Sequence, residues 1–390
     1  MRLSAQIISQ LLSSYLWDNP SILEREKIES QTTEQWFELY QLSLRQGVCA
    51  IILDSLIANK IDIPRPIKMR FISATDKIER KYRQKVAVAK RLESIYSENN
   101  IKLMILKGIG LAQLYPVPKH RPCSDIDIWL FGKQSEADRI LSEKYKIAIN
   151  EAHHHHTVFH IDGVMIENHY DFIEQHSRSS KASIEQTLKN ISTTEEHYTT
   201  EIDGTKFYIP APNLNIYFLT MHAGAHFAAE NISIRHLTDW ALFLKSFGSK
   251  VDYPMIINLA DEFGFRPFFE CLNSMCISYL GMPKELAYCT LDDEKIVAKS
   301  IDDVLNYKQK EIPNNFIKGW IFRIKRRFSN IWKQKMVYND SHFSAFILSF
   351  FGSHHPSKFL EKKIGEIKAL NIGRKTGHFY AKKSVKLLFN

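Results

Sequence analysis

The 390-residue sequence has little of several features that define particular protein classes. Its five cysteines are odd in number and include no Cys-x-x-Cys pair, which disfavours a disulfide framework or a cysteine zinc site and favours a reducing cytoplasm. With 15 glycines and 13 prolines, a collagen-like or low-complexity chain is excluded. The longest apolar stretches, such as Phe343–Phe351, reach about half of the roughly 20 residues that a membrane-spanning helix needs. The amphipathic N-terminus lacks a continuous apolar region, so we expect no signal peptide.

Positive charge is concentrated at the C-terminal end. Residues 301–390 contain 18 Lys and Arg against 6 Asp and Glu, a net charge of +12, whereas residues 1–300 carry 34 against 37, a net charge of −3. This excess predicts an anionic partner for the last ninety residues, either a membrane surface, nucleic acid or an acidic substrate. No recognised nucleic-acid motif supports the second choice. We therefore expect a cytoplasmic protein, either free or peripheral to the inner face of the membrane.

Residues 317–335 form the clearest amphipathic stretch of this basic region. Apolar side chains from Ile317 to Trp332, Phe328 among them, fall on one arc of a helix, and several basic side chains, including Lys333, lie outside it. Such a helix either lies on an anionic membrane or packs its apolar side against the protein. We expect packing, with the basic face left for an acidic partner.

Five short stretches between residues 102 and 172 predict the strands of a small mixed sheet, because they are apolar or alternate with period two. They are Lys102–Leu106, Asp125–Leu130, Lys146–Asn150, Thr157–Ile161 and Val164–Phe172, the last two joined by a turn at Asp162-Gly163. Helical periodicity dominates on both sides, so the predicted fold class is α+β. The predicted regions are an N-terminal helical region at 1–97, the sheet core at 98–175, a helical substrate or closure region at 176–300, and a basic C-terminal helical region at 301–390.

The strongest chemical signal is the sequence Ser124-Asp125-Ile126-Asp127-Ile128. On a strand, residues two apart point to the same face, so Asp125 and Asp127 are expected to project together. Glu167, on the later predicted strand, is the preferred third carboxylate, and Asp171 is the alternative. Carboxylate oxygens bind hard cations such as Mg²⁺ or Mn²⁺, and paired ions suit an in-line displacement at phosphorus. The alternative is that the acidic pair is only a solvated strand face.

Residues around the acidic motif suit phosphate binding. Gly108 lets the backbone approach a ligand closely, and the amides that open the predicted helix Ile109–Tyr115 can meet phosphate oxygens. Lys107 and Arg121 could add positive charge, although the default for each is a surface position. Together these residues predict a phosphate-binding site beside the carboxylates.

The segment LKGIGLAQLYPVPKHRPCSDIDIWL, Leu106–Leu130, resembles a known family. It is similar to the uncharacterised bacterial nucleotidyltransferases of the DNA-polymerase-β-like superfamily, whose signature runs Leu-Lys-Gly, Leu-Tyr-Pro and Arg-Pro-x-Ser-Asp-x-Asp. The later Ile166-Glu167-Asn168-His169 matches that family's acidic strand, and the resemblance covers roughly residues 1–245. It implies a polymerase-β-like core that binds a nucleoside triphosphate with Mg²⁺ or Mn²⁺ and transfers a nucleoside monophosphate. The acceptor is unknown: a small molecule, a glycan intermediate or a peptide.

The resemblance also implies roles for individual residues. Asp125, Asp127 and Glu167 would be the catalytic, metal-binding triad. The nucleotide-binding residues would be Lys107, Gly108, Arg121 and Ser124. Accessory residues would be His169, His222, His226, Arg235 and Asp239. The alternative function is a catalytically weak nucleotide-binding or regulatory module on the same fold.

Histidines form two further patterns. In the run His153–His156, strand alternation would send His153 and His155 to one face of the sheet and His154 and His156 to the opposite face. Two of the four with His160 could bind a transition metal, or all four could flank the sheet without a metal. His222 and His226 share a helical face, but Ala223 stands where a zinc protease needs Glu, so zinc proteolysis is disfavoured. Arg235 and Asp239, also four apart, are expected to pair with each other.

Overall fold

The computed structural model of the protein describes residues 2–152, 155–172, 179–229, 231–306 and 316–338. None of the helices in these ranges is both long and apolar enough to cross a membrane. Helices and a mixed sheet are both present, which confirms the predicted α+β class. Residues 339–390, including Phe343–Phe351, lie outside the described part of the chain, as do His153 and His154.

The helices lie on both sides of the sheet region in sequence, as predicted. They are α1 (Leu3–Trp17), α2 (Arg25–Glu29), α3 (Thr33–Arg45), α4 (Cys49–Ala58), α5 (Arg65–Ser97), α6 (Ile109–Ala112), α7 (Gln134–Tyr145), α8 (Ser179–Thr194), α9 (Pro212–Ala229), α10 (Ile234–Phe247), α11 (Tyr253–Phe263), α12 (Arg266–Leu280), α13 (Glu294–Asn306) and α14 (Phe316–Tyr338). Local sequence sets several boundaries. Thr32 and Gln35 form a capping box at the start of α3, and Pro66 stands in the first turn of α5.

The sheet is built from β1 (Met104–Ile105), β2 (Ile126–Trp129), β3 (His156–Ile161), β4 (Val164–His169), β5 (Tyr198–Ile202) and β6 (Thr205–Ile209). In the described part of the chain their order is β3-β4-β2-β1-β6-β5. β2 runs antiparallel to β1 and parallel to β4, whereas β1 runs parallel to β6. The β3–β4 hairpin turns at Asp162-Gly163, as predicted, where both residues have positive φ.

The structure differs from the predicted sheet in two places. The predicted strand Lys146–Asn150 is wrong, because Lys146 ends α7 in the left-handed region and Asn150 makes only an isolated bridge to Val158. The β5–β6 hairpin was missed, although its turn, Asp203-Gly204, repeats the signal of the first hairpin.

Two apolar clusters hold the fold together. One joins α1, α3 and α4 to the helices from α9 to α13, and the other lies between the sheet, α7 and the second half of α5. The N-terminal helix α1 is attached to α12 by hydrogen bonds as well. The Tyr279 hydroxyl donates to the Ala5 carbonyl at 2.7 Å, and Trp17 Nε1 donates to the Leu280 carbonyl at 2.7 Å. The first and the later helices therefore share one core.

The amphipathic helix α14 packs on α9. Trp332 lies edge-on to Phe227, with ring centroids 5.6 Å apart, and Val337 is buried. Two details differ from the predicted faces. Phe328, expected on the apolar side, is 53% exposed, and Lys333, expected on the basic face, is buried and paired with Asp303. Packing of the helix thus turns it slightly from the orientation that periodicity alone indicates.

Candidate active site

Strand β2 places the acidic motif. Ile126 and Ile128 enter the apolar core on one face of the sheet, so Asp127 points to the other face, where its side chain is fully buried. Asp125 lies immediately before the strand, and its Oδ1 accepts a hydrogen bond from Ser124 Oγ at 2.8 Å. The alternation of the sequence therefore sets the direction of Asp127, whereas Asp125 lies outside the strand.

Pairing of β2 with β4 brings a second acidic residue alongside. Asp127 and Glu167 are direct partners in this parallel register. His169, two residues further along β4, places Nε2 at 3.3 Å from Asp127 Oδ1 and at 3.5 Å from Glu167 Oε2. One ligand atom from each of these three residues lies within 4.8 Å of the others. Among the described residues, this group contains His169 in place of the predicted Asp125.

Lys107 completes the charge arrangement. Just after β1, the Leu106 N–H donates to the Asp127 carbonyl at 3.0 Å. This bond places the side chain of the next residue, Lys107, opposite Asp127. Lys107 Nζ then lies 3.0 Å from Asp127 Oδ1 and 3.4 Å from His222 Nε2. Burial would raise the pKa of Asp127, but Lys107 and His169 outweigh burial and hold this pKa below its usual range. Burial and the nearby Asp127 charge raise the pKa of Asp125, so the two carboxylates differ.

One oxygen of this cluster is unsatisfied. Asp127 Oδ2 is buried and has no hydrogen-bond donor among the described residues. An unsatisfied buried carboxylate oxygen is costly, and hard divalent cations prefer such oxygens. The residues present therefore fit a Mg²⁺ or Mn²⁺ ion held by Asp127 and Glu167, with Asp125 adjacent.

Gly108 shapes the turn beside the carboxylates. Its φ of 61° and ψ of −116° lie in a region that side chains with a Cβ rarely adopt. A Cβ at this position would also lie 3.5 Å from the Asp125 carbonyl. The helix that follows, α6, is a single turn and shorter than the predicted Ile109–Tyr115. The turn thus brings the backbone close to the acidic strand.

Arg121 is buried and pairs with Asp239. Its side chain is 2% exposed, and its Nε and Nη2 donate to the two carboxylate oxygens of Asp239 at 2.7 Å each. The Tyr115 hydroxyl donates to Asp239 Oδ1 at 2.7 Å. Arg235 makes the predicted contact with Asp239, but at 3.3 Å it is the weaker partner. Arg121 thus forms a buried ion pair with Asp239 at the edge of the small cavity that Lys107 also lines, and its predicted phosphate contact stays a prediction.

Of the predicted accessory histidines, His222 borders a small cavity beside Lys107. The cavity, of about 30 Å³, is lined by Lys107, His222 and Arg235, among others. The ring of His226 lies 4.7 Å from that of His222, between centroids. His236 was not predicted and also lines the cavity; burial and Arg235 lower its pKa, as burial and Lys107 lower that of His222. A signal for His236 was available, since it stands three residues after the N-cap residue of α10.

The histidine run is arranged differently from the predicted alternation. β3 begins only at His156, so His155 lies in the preceding bend and does not follow the alternation of a strand. His155 and His156 both lie beside His169, whereas His160 pairs with Met165 further along β3 and is exposed. His155 and His156 therefore group with His169 and not with His160, whereas His153 and His154 lie outside the described residues.

The mixed sheet places two carboxylates on the neighbouring parallel strands β2 and β4, beside the turn at Lys107-Gly108. The chain belongs to the uncharacterised nucleotidyltransferase family, which matches residues 32–281. This match confirms the resemblance that the Leu106–Leu130 segment predicts.

Two solved structures are similar to the chain at low identity. One is an antigenic nucleotidyltransferase-like protein from Paracoccidioides brasiliensis, 15% identical, with a TM-score of 0.31 over 55% of this chain and 95% of that one. The other is a tRNA nucleotidyltransferase complexed with a primer tRNA and an incoming ATP analog, 13% identical, with a TM-score of 0.24 over 72% of this chain and 91% of that one. No curated protein matches the chain significantly.

Proposed function

We propose that the protein is a metal-dependent nucleotidyltransferase that moves a nucleoside monophosphate from a nucleoside triphosphate to a hydroxyl group of an acceptor. The acceptor is a small molecule, a glycan intermediate or a peptide. The observation that carries the proposal is the convergence of Asp127, Glu167 and His169 in a chain of a nucleotidyltransferase family. In the described part of the chain, the buried Oδ2 atom of Asp127 has no hydrogen-bond donor.

Asp125, Asp127 and Glu167 would hold Mg²⁺ or Mn²⁺, and the bound ions would neutralise charge on the phosphate oxygens. Lys107 Nζ lies 3.0 Å from Asp127 Oδ1, which supports a need for positive charge at this point. In the proposed role Lys107 and Ser124 lie on the triphosphate side, and Gly108 lets the chain approach it.

Glu167 is assigned to the acceptor side. Its side chain is 20% exposed, against complete burial of Asp127, so it is the more accessible of the paired carboxylates. In the reaction the acceptor oxygen would bond to the α-phosphorus while the bond to the β-phosphate oxygen breaks. Pyrophosphate leaves with that electron pair, and Glu167 would orient the hydroxyl and accept its proton.

A second function has one observation in its favour. Lys107 and His169 both contact Asp127, so the protein itself partly neutralises this carboxylate. A nucleotide-binding module that needs little or no metal would have such an arrangement. In that case triphosphate binding would be measurable without transfer.

The test is incubation of the full chain with each labelled nucleoside triphosphate, Mg²⁺ or Mn²⁺, and host lysate, followed by identification of the labelled product. Asp127→Asn is expected to abolish transfer while the fold stays intact, and Glu167→Gln to reduce turnover far more than triphosphate affinity. Asp171→Asn is the matched control, since Asp171 follows the same strand but pairs with Lys189.

Two results would contradict the assignment. Unchanged transfer by Asp127→Asn would exclude this site. A larger loss of transfer from Asp171→Asn than from Glu167→Gln would assign the third metal-binding carboxylate to Asp171. Triphosphate binding by the wild-type chain with no labelled product for any nucleotide would favour the binding module.

A further inference from the structure

Three imidazole rings meet at one end of the β3–β4 hairpin. His156 and His169 are direct cross-strand partners, with ring centroids 5.2 Å apart. His155 stands against both, with centroids 4.2 Å from His156 and 5.7 Å from His169. His156 and His169 are buried and His155 is half-buried. This cluster takes no part in the nucleotidyl transfer proposed above except through His169.

The backbone holds the cluster in place. The N–H groups of Tyr170 and Asp171 both donate to the His155 carbonyl at 3.1 Å, which ties the bend before β3 to the end of β4. His169 Nδ1 lies 3.2 Å from the Asp171 carbonyl, a contact of the kind that orients metal-binding imidazoles. The rings are thus positioned by the ends of two paired strands.

The spacing of the donor atoms suits a metal ion. One ring nitrogen from each of the three histidines lies within 4.8 Å of the others. Zinc–nitrogen bonds are about 2.0–2.1 Å long, so two nitrogens on one tetrahedral zinc ion are about 3.3–3.4 Å apart. The three side chains would therefore have to rotate towards one another to bind one ion.

The donor chemistry differs from that of the acidic group. Neutral imidazoles suit zinc and its neighbours in the first transition row, whereas carboxylate oxygens suit Mg²⁺ and Mn²⁺. An ion held by the rings would displace the proton that pairs His169 with Asp127. We propose that His155, His156 and His169 form a binding site for one transition-metal ion of the zinc type. The site shares His169 with the acidic group, and its metal binding is measurable without turnover.

The experiment uses the full chain without a histidine tag, stripped of metal with a chelator. Zn²⁺ is titrated in competition with a chromophoric chelator, and Co²⁺ absorption reports the ligand field. One ion per chain is expected. The His155→Gln/His156→Gln variant is expected to bind Zn²⁺ more than about 100-fold more weakly, because even the loss of an outer-shell partner costs 10–100-fold.

Two controls separate the histidine site from its surroundings. His160→Gln changes an exposed histidine of the same strand and is expected to leave the affinity unchanged. Glu167→Gln removes a carboxylate that lies 3.5 Å from His169 but is not in the histidine group, so it is expected to weaken Zn²⁺ binding less than the double histidine variant does. The melting temperature without metal checks that each variant is folded.

Three outcomes would overturn the assignment. They are the absence of stoichiometric Zn²⁺ binding by the wild-type chain, undiminished binding by the folded His155→Gln/His156→Gln variant, and a loss in Glu167→Gln as large as in that variant. The last outcome would place the ion on the acidic group. None of them depends on whether the protein transfers nucleotides.

Discussion

The buried ion pair between Arg121 and Asp239 allows a quantitative prediction. Both carboxylate oxygens of Asp239 are bound by Arg121 at 2.7 Å, and both side chains are almost inaccessible to water. Asp239→Asn keeps the size of the side chain, so it creates no cavity and isolates the effect of charge. It leaves the Arg121 guanidinium buried without its counter-ion.

We expect Asp239→Asn to lower the free energy of unfolding by about 3–5 kcal/mol, the usual cost of removing one partner of a buried pair. This is a large part of the 5–15 kcal/mol typical of folded proteins. The matched control is Asp203→Asn, the same substitution in the exposed pair Lys90–Asp203 at 3.1 Å. For this pair we expect a loss of at most about 1 kcal/mol.

The assay is urea unfolding followed by tryptophan fluorescence, with the midpoint compared at constant slope. A second variant, Arg121→Met with Asp239→Leu, is expected to recover most of the loss, because an apolar pair of similar volume needs no counter-ion. If Asp239→Asn shifts the midpoint no more than Asp203→Asn, the reasoning from burial is refuted. If the double variant is as unstable as the single one, the unpaired charge is not the cause.

Two further predictions concern stability. Burial lowers the pKa of His120, but hydrogen bonds to Asp54 at 2.6 Å and Glu79 at 3.0 Å outweigh burial and raise it. Burial raises the pKa of Glu79, but hydrogen bonds, chiefly the one to His120, outweigh burial and lower it to about 2. The contribution of His120 to the free energy of unfolding is therefore complete below its usual pKa of 6.5 and is lost as the pH rises through the raised value. The contribution of Glu79 is complete above pH 4.5 and is lost as the pH falls towards about 2. His120→Gln should thus lower the urea midpoint most between about pH 4.5 and 6.5 and least in alkali; an equal loss at every pH would contradict this. Gly224→Ala should lower the free energy of unfolding by about 1–3 kcal/mol, because its Cβ would lie 2.9 Å from Val337 of α14. Adding Val337→Ala should restore most of this stability. An unchanged melting temperature of Gly224→Ala would show that α14 does not pack there.

The acidic strand could be predicted because its signals are local. Alternation in β2 fixes the faces of Asp127 and its isoleucine neighbours, and a turn of two residues with positive φ fixes the hairpin that carries Glu167. Register then follows, since a shift by one residue would put the buried isoleucines on the opposite face.

What could not be predicted depends on distant partners. Arg121 was expected at a phosphate because nothing near it in sequence shows Asp239, 118 residues later. Alternation predicts that His155 points away from His156, but alternation holds only inside a strand. β3 begins at His156, so the prediction does not apply to His155. His169 entered the metal-ligand group in place of Asp125 through the pairing of β4 with β2, which the sequence does not display.

The attachment of α1 to α12 has a consequence for the newly made chain. Ser9 donates to the Tyr279 carbonyl across 270 residues of sequence. At about 5–20 residues per second, a ribosome needs roughly 12–50 s to reach α12 after completing α1. During this time α1 can pack against α3 and α4 but lacks its contacts with α12. Ribosome-bound chains that end before residue 266 should therefore be more sensitive to protease within α1 than chains that have passed residue 306.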